Sequence, residues 1–305
     1  MAGLNKEVWL ARLEANEWFA ENIFMQDAVN LDSEVDNDVI NFARRGTFAA
    51  GVTKNPTYPL AAPVQRTDTA GNIALDEYAT GQIVVTDAEQ VELSYPKLDS
   101  YVLQAKEHLE DRIAREALWN LGATGLTTLT PIMDVDATNA VHPTDSRKIL
   151  TTKDIGLLAE RFDKLKYPKA GRVLVVNSST FYSLVLNSTE LMNQWIINQK
   201  PGVIDAVALR VHSFDIIERE DTPYYDNAAV ASTVKIAFGT TPGVNDLPAA
   251  VAYIRNLSFG RALGTLSMYD KVNDPEYQGT IMSFRKRAKV GAFFQQYLGV
   301  IRRTA

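Results

Sequence analysis

KLDSYVLQAKEHLEDRIAREALWNLG, residues 97–122, is the stretch from which the rest of the chain can be organised. Val102, Ala105, Leu109, Ile113, Ala117 and Leu121 recur at steps of three or four, the spacing of one helix face. Lys106, Glu107, Glu110, Asp111, Arg112, Arg115 and Glu116 fill the other faces, with Asp111 and Arg115 in i,i+4 register. Asp99 or Ser100 can cap the start and Gly122 can end it. At about 1.5 Å per residue this is a rod of about 30 Å or more, a structural spine.

The segment feeding into the spine reads as a long hairpin. Lys54-Asn55-Pro56 opens it, and Pro59 and Pro63 keep Tyr58 to Val64 extended. The turn formers from Thr67 to Asn72 mark its tip. The return limb runs from Ile73 through Tyr78 to the β-branched Ile83-Val84-Val85-Thr86, and Val91, Leu93 and Tyr95 then alternate with polar Glu92 and Ser94 up to Pro96. An isolated hairpin is marginally stable in water. An arm of this kind is therefore expected either to be buried by a neighbouring molecule or to pack on its own domain.

Ahead of it, residues 1–45 read as a leader arm. Trp9, Leu10 and Leu13 give a short amphipathic helix, and Trp18, Phe19 and Phe24 add apolar anchors. Asp32, Glu34, Asp36 and Asp38 occupy every second position, so in an extended chain they face one way. After the spine, Ala123 to Lys148 reads as loop. A second unit starts at Thr151, which makes a capping box with Asp154 for a helix reaching Lys166. Arg172 to Val176 reads as a buried strand, followed by a helix over Phe181 to Leu186 capped by Ser178 or Ser179. Val207–Val211, Phe214–Glu218 and Val234–Phe238 read as strands, as do Ala250–Ile254, Leu263–Tyr269, Thr280–Arg287 and Val290–Ile301. Val290 to Leu298 stays open between strand and helix. The class is α+β.

Composition limits the function. A chain of 305 residues with 46% hydrophobic content can bury a proper core and suggests about two domains. A net charge of −6 argues against affinity that depends on neutralising phosphates. The absence of cysteine removes disulfides, thiolate metal sites and thiol nucleophiles. No apolar run approaches the roughly 18 residues of a membrane span. Met1 to Phe19 is too charged for a secretory signal, so the chain is expected to be intracellular when made.

Catalytic patterns are weak. Gly46-Thr47-Phe48-Ala49-Ala50-Gly51 has phosphate-loop glycine spacing, but Val52 stands where the lysine is needed. His108, His142 and His212 are far apart and form no HExxH pair. The acidic run from Asp32 lacks the glycine and the glutamate of a calcium loop, carrying Asn37 and Ala43 instead. No catalytic, cofactor-binding or metal-ligating residue is assigned. Arg285, Arg287 and Lys289 alternate and share one face of a strand, with Arg302 and Arg303 nearby in sequence. They can meet an acidic patch on a neighbouring subunit, face packaged nucleic acid or stand solvated.

The order of leader arm, long hairpin, spine helix, α/β unit and returning strands resembles the major capsid proteins of tailed bacteriophages, with the Hong Kong 97-type fold. Gly3 to Trp9, Arg66 to Thr69 with Leu75 to Tyr78, and Ser94 to Lys97 resemble capsid proteins of phages and prophages of Bacteroidetes-type hosts. The resemblance implies an N-terminal arm (1–45), an extended loop (46–96), a peripheral domain with the spine helix (97–150 and 250–305) and an axial domain (151–249). It implies a non-enzymatic protein that assembles as pentamers and hexamers into an icosahedral shell around double-stranded DNA, in the host cytoplasm and then the virion. Implied partners are further copies of itself, a separate scaffolding protein, a portal, a maturation protease and DNA held without sequence preference. Trp9, Trp18, Tyr58 and Leu60 are expected to be buried in intersubunit grooves, and Arg285, Arg287 and Lys289 to contact a neighbour. Some members of the family cross-link an extended-loop lysine to a neighbour's asparagine. Asn55 to Pro96 contains no lysine, so no such bond is expected here. A cargo nanocompartment shell of the encapsulin type remains the nearest alternative. A cytosolic hydrolase or ligand-binding protein using His142 or His212 is the alternative from another class.

Overall fold

The structure, a computed structural model, describes residues 20–44, 54–55, 65, 69–86, 97–125, 130–142, 147–198, 209–226, 235–292 and 296–303. Trp9, Trp18, Tyr58 and Leu60, the Gly46–Gly51 glycine pattern and the Tyr58–Val64 limb lie outside the described residues.

The spine forms where the periodicity puts it, as helix α1, Lys97–Leu121. Its start at Lys97 places Asp99 and Ser100 inside the first turn and not at the cap. All six stripe residues are buried. They occupy two seats. Val102, Ala105 and Leu109 pack with Met268, Met282 and Phe284. Ile113, Ala114, Ala117, Leu118 and Leu121 pack with Val173, Val175, Val251, Tyr253, Phe24 and Met25. Lys106 and Glu110, read from sequence as outer-face charges, are buried between the seats and lie 3.8 Å apart. Two separate sheets press on the rod, which widens the covered face beyond a single stripe. Gly122 ends the helix for a reason other than a left-handed cap: a Cβ there would lie 2.9 Å from Pro223 and from the Tyr225 hydroxyl.

The first sheet is built on a long antiparallel pair, β14 (Gly260–Asp274) and β15 (Gly279–Gly291). β1 (Val29–Asn30) runs parallel to β14, while β5 (Asp76–Ala79) and β6 (Ile83–Thr86) both pair with β15. The second sheet has six strands in the order β7 (Ile132–Asp134), β16 (Gly299–Arg302), β13 (Ala250–Ile254), β8 (Arg172–Val176), β10 (Phe214–Glu218) and β9 (Leu209–Val211). One of its faces meets α1. The other is covered by α2 (Thr152–Lys164), α3 (Ser178–Leu186) and α4 (Thr189–Asn198), with Leu158, Phe162, Leu184 and Leu191 over Leu174, Val176 and Ile216. Cover on both faces explains why β8 reads as the unbroken run Arg-Val-Leu-Val-Val and is buried at every position.

Several expectations are corrected. Thr69 to Asn72 is not the hairpin tip. It lies in β4 (Thr69–Ala74), paired with β3 (Val39–Arg44) from Val39↔Ala74 to Arg44↔Thr69, so the connection between these strands is residues 45–68. The register of a β3 outside the anticipated hairpin sets the tip, not the turn-forming residues. The acidic run is broken by a 3-10 turn at Asp32–Glu34, by β2 (Val35–Asp36) and by Asn37 and Asp38 with φ of 50° and 62°, so its carboxylates do not face one way. β7 lies inside the segment read as loop. Lys235 makes only an isolated bridge with Tyr225, within β11 (Tyr224–Asp226), which pairs with β12 (Asp246–Pro248); the rest of the Ile236–Phe238 segment is not strand. The cap of α3 is Asn177, whose Oδ1 accepts from Thr180 N at 3.2 Å, not Ser178 or Ser179. β13 and β16, from the late part of the chain, bond into the same sheet as β8. The Thr151–Asp154 capping box is present: Asp154 Oδ2 accepts from Thr151 N at 3.0 Å and Thr151 Oγ1 at 2.7 Å. Asp154 also accepts from Asn139 at 2.8 Å and from Asp136 N at 3.1 Å, tying the loop after β7 to α2.

Candidate assembly surface

β15 sorts its residues by alternation. Met282, Phe284, Ala288 and Val290 are buried, and Arg285, Arg287 and Lys289 line the opposite face. The structure brings these three cations to acids of the same chain. Arg285 lies 3.6 Å from Glu77, Lys289 lies 2.6 Å from Asp76, and Arg287 contacts both Glu77, at 3.8 Å, and Asp38. The left-handed Asn37-Asp38 turn aims Asp38 at Arg287, and its carbonyl accepts from Leu75 N at 2.9 Å. These side chains are between a quarter and a half exposed, so each pair is worth at most about 1 kcal/mol. Arg302 and Arg303 are not part of the row. They are buried on the second sheet, Arg302 Nε bonded to Asp134 at 2.8 Å and Arg303 Nε to the Lys148 carbonyl at 3.1 Å.

A groove of about 390 Å³ opens beside the C-terminal half of α1, lined by Arg112, Arg115, Trp119, Pro223, Tyr224 and Phe238 among others. Trp119 organises it. Its indole N–H donates to the Ile236 carbonyl at 2.7 Å, and its ring meets Phe238 edge-on at 6.1 Å. Arg112 lies 4.3 Å above the Phe238 ring. Arg115 is held between Asp111 at 2.8 Å and Asp221 at 3.2 Å. Lys235 closes the end of the helix: its ammonium donates to the carbonyls of Trp119 at 2.9 Å and Gly122 at 2.7 Å, and sits 3.7 Å from the Trp119 ring centre. A cation there answers the negative end of the helix dipole.

Burial pushes the Lys235 ammonium down to about 8. A lysine whose folded value falls below its unfolded one releases its proton earlier when folded. Between about pH 8 and pH 10 the unfolded chain then holds more protons, and stability rises with pH in that window. Thermal unfolding across pH 8–10 should show this rise for the wild type and a flatter profile for Lys235→Met. Identical profiles would refute the assignment.

The distal end of the β14–β15 arm carries exposed Tyr269, Val272 and Tyr277. Neither this tip nor the Trp119 groove was found by sequence reasoning. The available signal was Arg112, Arg115 and Trp119 at helical spacing, which was absorbed into the polar faces of the spine. The histidines do not converge: His108 is exposed on α1, His142 lies in the loop before α2, and His212 sits in the β9–β10 turn over Gly156. Among the described residues no group of three or more His, Asp or Glu could hold a metal ion, and no helix is long and apolar enough to cross a membrane.

No family model matches the sequence, and no curated protein matches it. Solved structures do match. The capsid of Ralstonia phage GP4 aligns with a TM-score of 0.62 at 9% identity, covering 95% of this chain and 92% of its own. Mycobacterium phage Che8 aligns at 0.60 with 15% identity, covering 94% and 93%. The capsid of Cyanophage P-SCSP1u aligns at 0.59 with 15% identity, covering 87% and 83%. The fold is the Hong Kong 97-type capsid fold. It is the α+β architecture expected from the order of elements.

Proposed function

We propose that this protein is a major capsid protein that self-assembles as pentamers and hexamers into the icosahedral shell of a tailed phage, enclosing double-stranded DNA. The observation that carries this reading is likeness to the capsid of Ralstonia phage GP4 over more than nine-tenths of this chain and of its own, which leaves little of the chain for a separate activity. The protein is a structural component of the virion and not an enzyme. A separate scaffolding protein, a portal and a maturation protease complete the assembly. DNA contact is non-specific, in keeping with a net charge of −6 and with a basic row already paired to acids. The phrases Gly3 to Trp9 and Ser94 to Lys97 favour a Bacteroidetes-type host. Residues 1–45 act as the N-terminal arm, 46–96 as the extended loop, 97–150 with 250–305 as the peripheral domain and 151–249 as the axial domain. Trp9, Trp18, Tyr58 and Leu60 anchor the arm and loop on neighbours, and the Arg285, Arg287 and Lys289 row lies at the base of that loop. Contacts of this kind can be individually weak, since a closed shell repeats them in every copy.

The test is electron microscopy of the purified protein. Closed shells or five- and sixfold capsomers are expected, with DNA inside particles taken from infected cells. Small uniform shells filled with protein would turn the reading toward a nanocompartment, and a uniform monomer would end it. Replacing residues 45–68 by a two-residue turn keeps β3, β4, β5 and β6 intact. That variant should stay soluble and folded while its yield of closed shells falls at least tenfold. Normal shells would show that the loop is dispensable.

A further inference from the structure

The β14–β15 arm ends in a built tip. Asp274, almost fully buried, accepts from Glu276 N at 2.9 Å and from the Lys271 ammonium at 2.5 Å. Asn273 and Gln278 take φ of 55° and 45°, and the register shifts between Lys271 and Asp274. Gly279, paired with Asp274 where the turn ends, passes directly against the Val85–Thr86 backbone of β6. On this ordered frame Tyr269, Val272 and Tyr277 stand 50%, 51% and 48% exposed. Tyr269 is steadied by Arg285, whose guanidinium lies 5.3 Å from its ring. Exposed apolar side chains of this size on an ordered element mark interaction sites, and tyrosines are favoured interface anchors.

The Trp119 groove has the matching chemistry. Its lining includes Trp119, Tyr224, Phe238, Pro223 and Pro242, and with Arg115 held by Asp111 and Asp221, Arg112 over the Phe238 ring is the cation it presents. At the tip Asp274 is buried against Lys271, while Asp270 and Glu276 are the exposed acids, the carboxylates it offers a partner. The two features sit at opposite ends of the spine. The arm packs through Met268 and Phe284 on Ala105, whereas Trp119 lies 14 residues further along α1, or about 20 Å. The tip projects beyond the Ala105 end, so one copy cannot fill its own groove. A patch at one end that fits a pocket at the other makes a heterologous contact, the type that closes into rings.

We propose that the Tyr269–Tyr277 tip of one copy seats in the Trp119–Phe238 groove of a second copy, with its tyrosines on the aromatic walls and its carboxylates toward Arg112. This rests on the shell reading. The chain has no cysteine, which makes cross-linking unambiguous. The pair Glu276→Cys and Thr240→Cys, which spares the aromatic anchors and is oxidised in assembled shells, should give a ladder of covalent oligomers. The pair Glu276→Cys and Leu186→Cys, whose second site is exposed on α3, should give none. Shells that form without the first ladder, or with both ladders equally, overturn the docking and leave the shell reading intact. A wild type that never assembles, scored by electron microscopy, overturns both. As an independent check, Tyr269→Ser with Tyr277→Ser should keep the wild-type melting temperature and lower shell yield at least tenfold. Wild-type yield would refute the contact.

Discussion

Replacing Arg172 with leucine is expected to lower the unfolding free energy of the subunit by about 3 kcal/mol, chiefly from the buried acceptors left without a donor. Its side chain is fully buried at the start of β8. Nε donates to the Pro168 carbonyl at 2.8 Å, one terminal nitrogen to Ser213 Oγ at 3.2 Å, and the other to Asp163 at 2.7 Å and the Tyr167 carbonyl at 2.9 Å. The guanidinium also lies near the rings of Phe162 and Phe214, at 5.4 and 5.8 Å. Leucine suits those rings but leaves the acceptors behind it without a donor, at about 1–3 kcal/mol for each buried one. Lysine should rescue only partially, because a single ammonium cannot span acceptors spread over that fork. Asp163 adds a pH signature. Its hydrogen bond from Arg172, followed by that from Lys169, holds its carboxyl below the usual range. A carboxylate lowered in the folded state stabilises above its unfolded value and loses that contribution as pH falls through the folded one. Loss of stability on the acid side should therefore be shallower in Arg172→Leu. Denaturant melts at neutral and acid pH decide the matter, and an unchanged midpoint would exclude the proposed role.

Gly279→Ala is the second large effect. The first residue of β15 lies so close to β6 that an added Cβ would stand 2.2 Å from the Val85 carbonyl oxygen and 2.7 Å from the Thr86 Cα. Both obstacles are backbone, so no rotamer change relieves them. The expected cost is about 3 kcal/mol, the upper end of the overpacking range. It arises from displacing β6 from β15 and exposing Val85, which is fully buried beside Met282 and Val102. Amide exchange at Ile83–Thr86 should speed up along with a fall in the melting temperature. Gly81, a few residues away with nothing within 4 Å, serves as the control. Alanine there should be neutral or slightly stabilising. If both variants melt alike, close backbone approach is not the reason for Gly279.

What could be read in advance was whatever local pattern determines. The spine stripe, the Thr151–Asp154 cap and the unbroken apolar run of β8 are each fixed by residues within a few positions of one another, and all three are present. What escaped depends on pairing across the chain. Thr69 to Asn72 has the composition of a turn but becomes strand because Val39–Arg44 supplies its partner. Lys106 and Glu110 read as surface charges, and only the arrival of two sheets on one helix buries them. The Trp119 groove needs Phe238 and Pro223, more than a hundred residues downstream, to become a groove at all. The basic row on β15 was legible as an alternation, whereas its partners Asp38, Asp76 and Glu77 were not, since strand pairing and a left-handed turn deliver them.

The position of β16 sets a clock on synthesis. The strand comes after all the others in chain order, yet it occupies an interior place in its sheet, between β7 and β13, and Arg302 and Arg303 at its end are buried. While the ribosome is still short of residue 302, β13 lacks one neighbour and β7 has none in that sheet. A nascent chain therefore cannot complete the sheet on which α1 rests until β16 has emerged, so β7 and the β13 edge wait on a strand made more than forty residues after β13 itself.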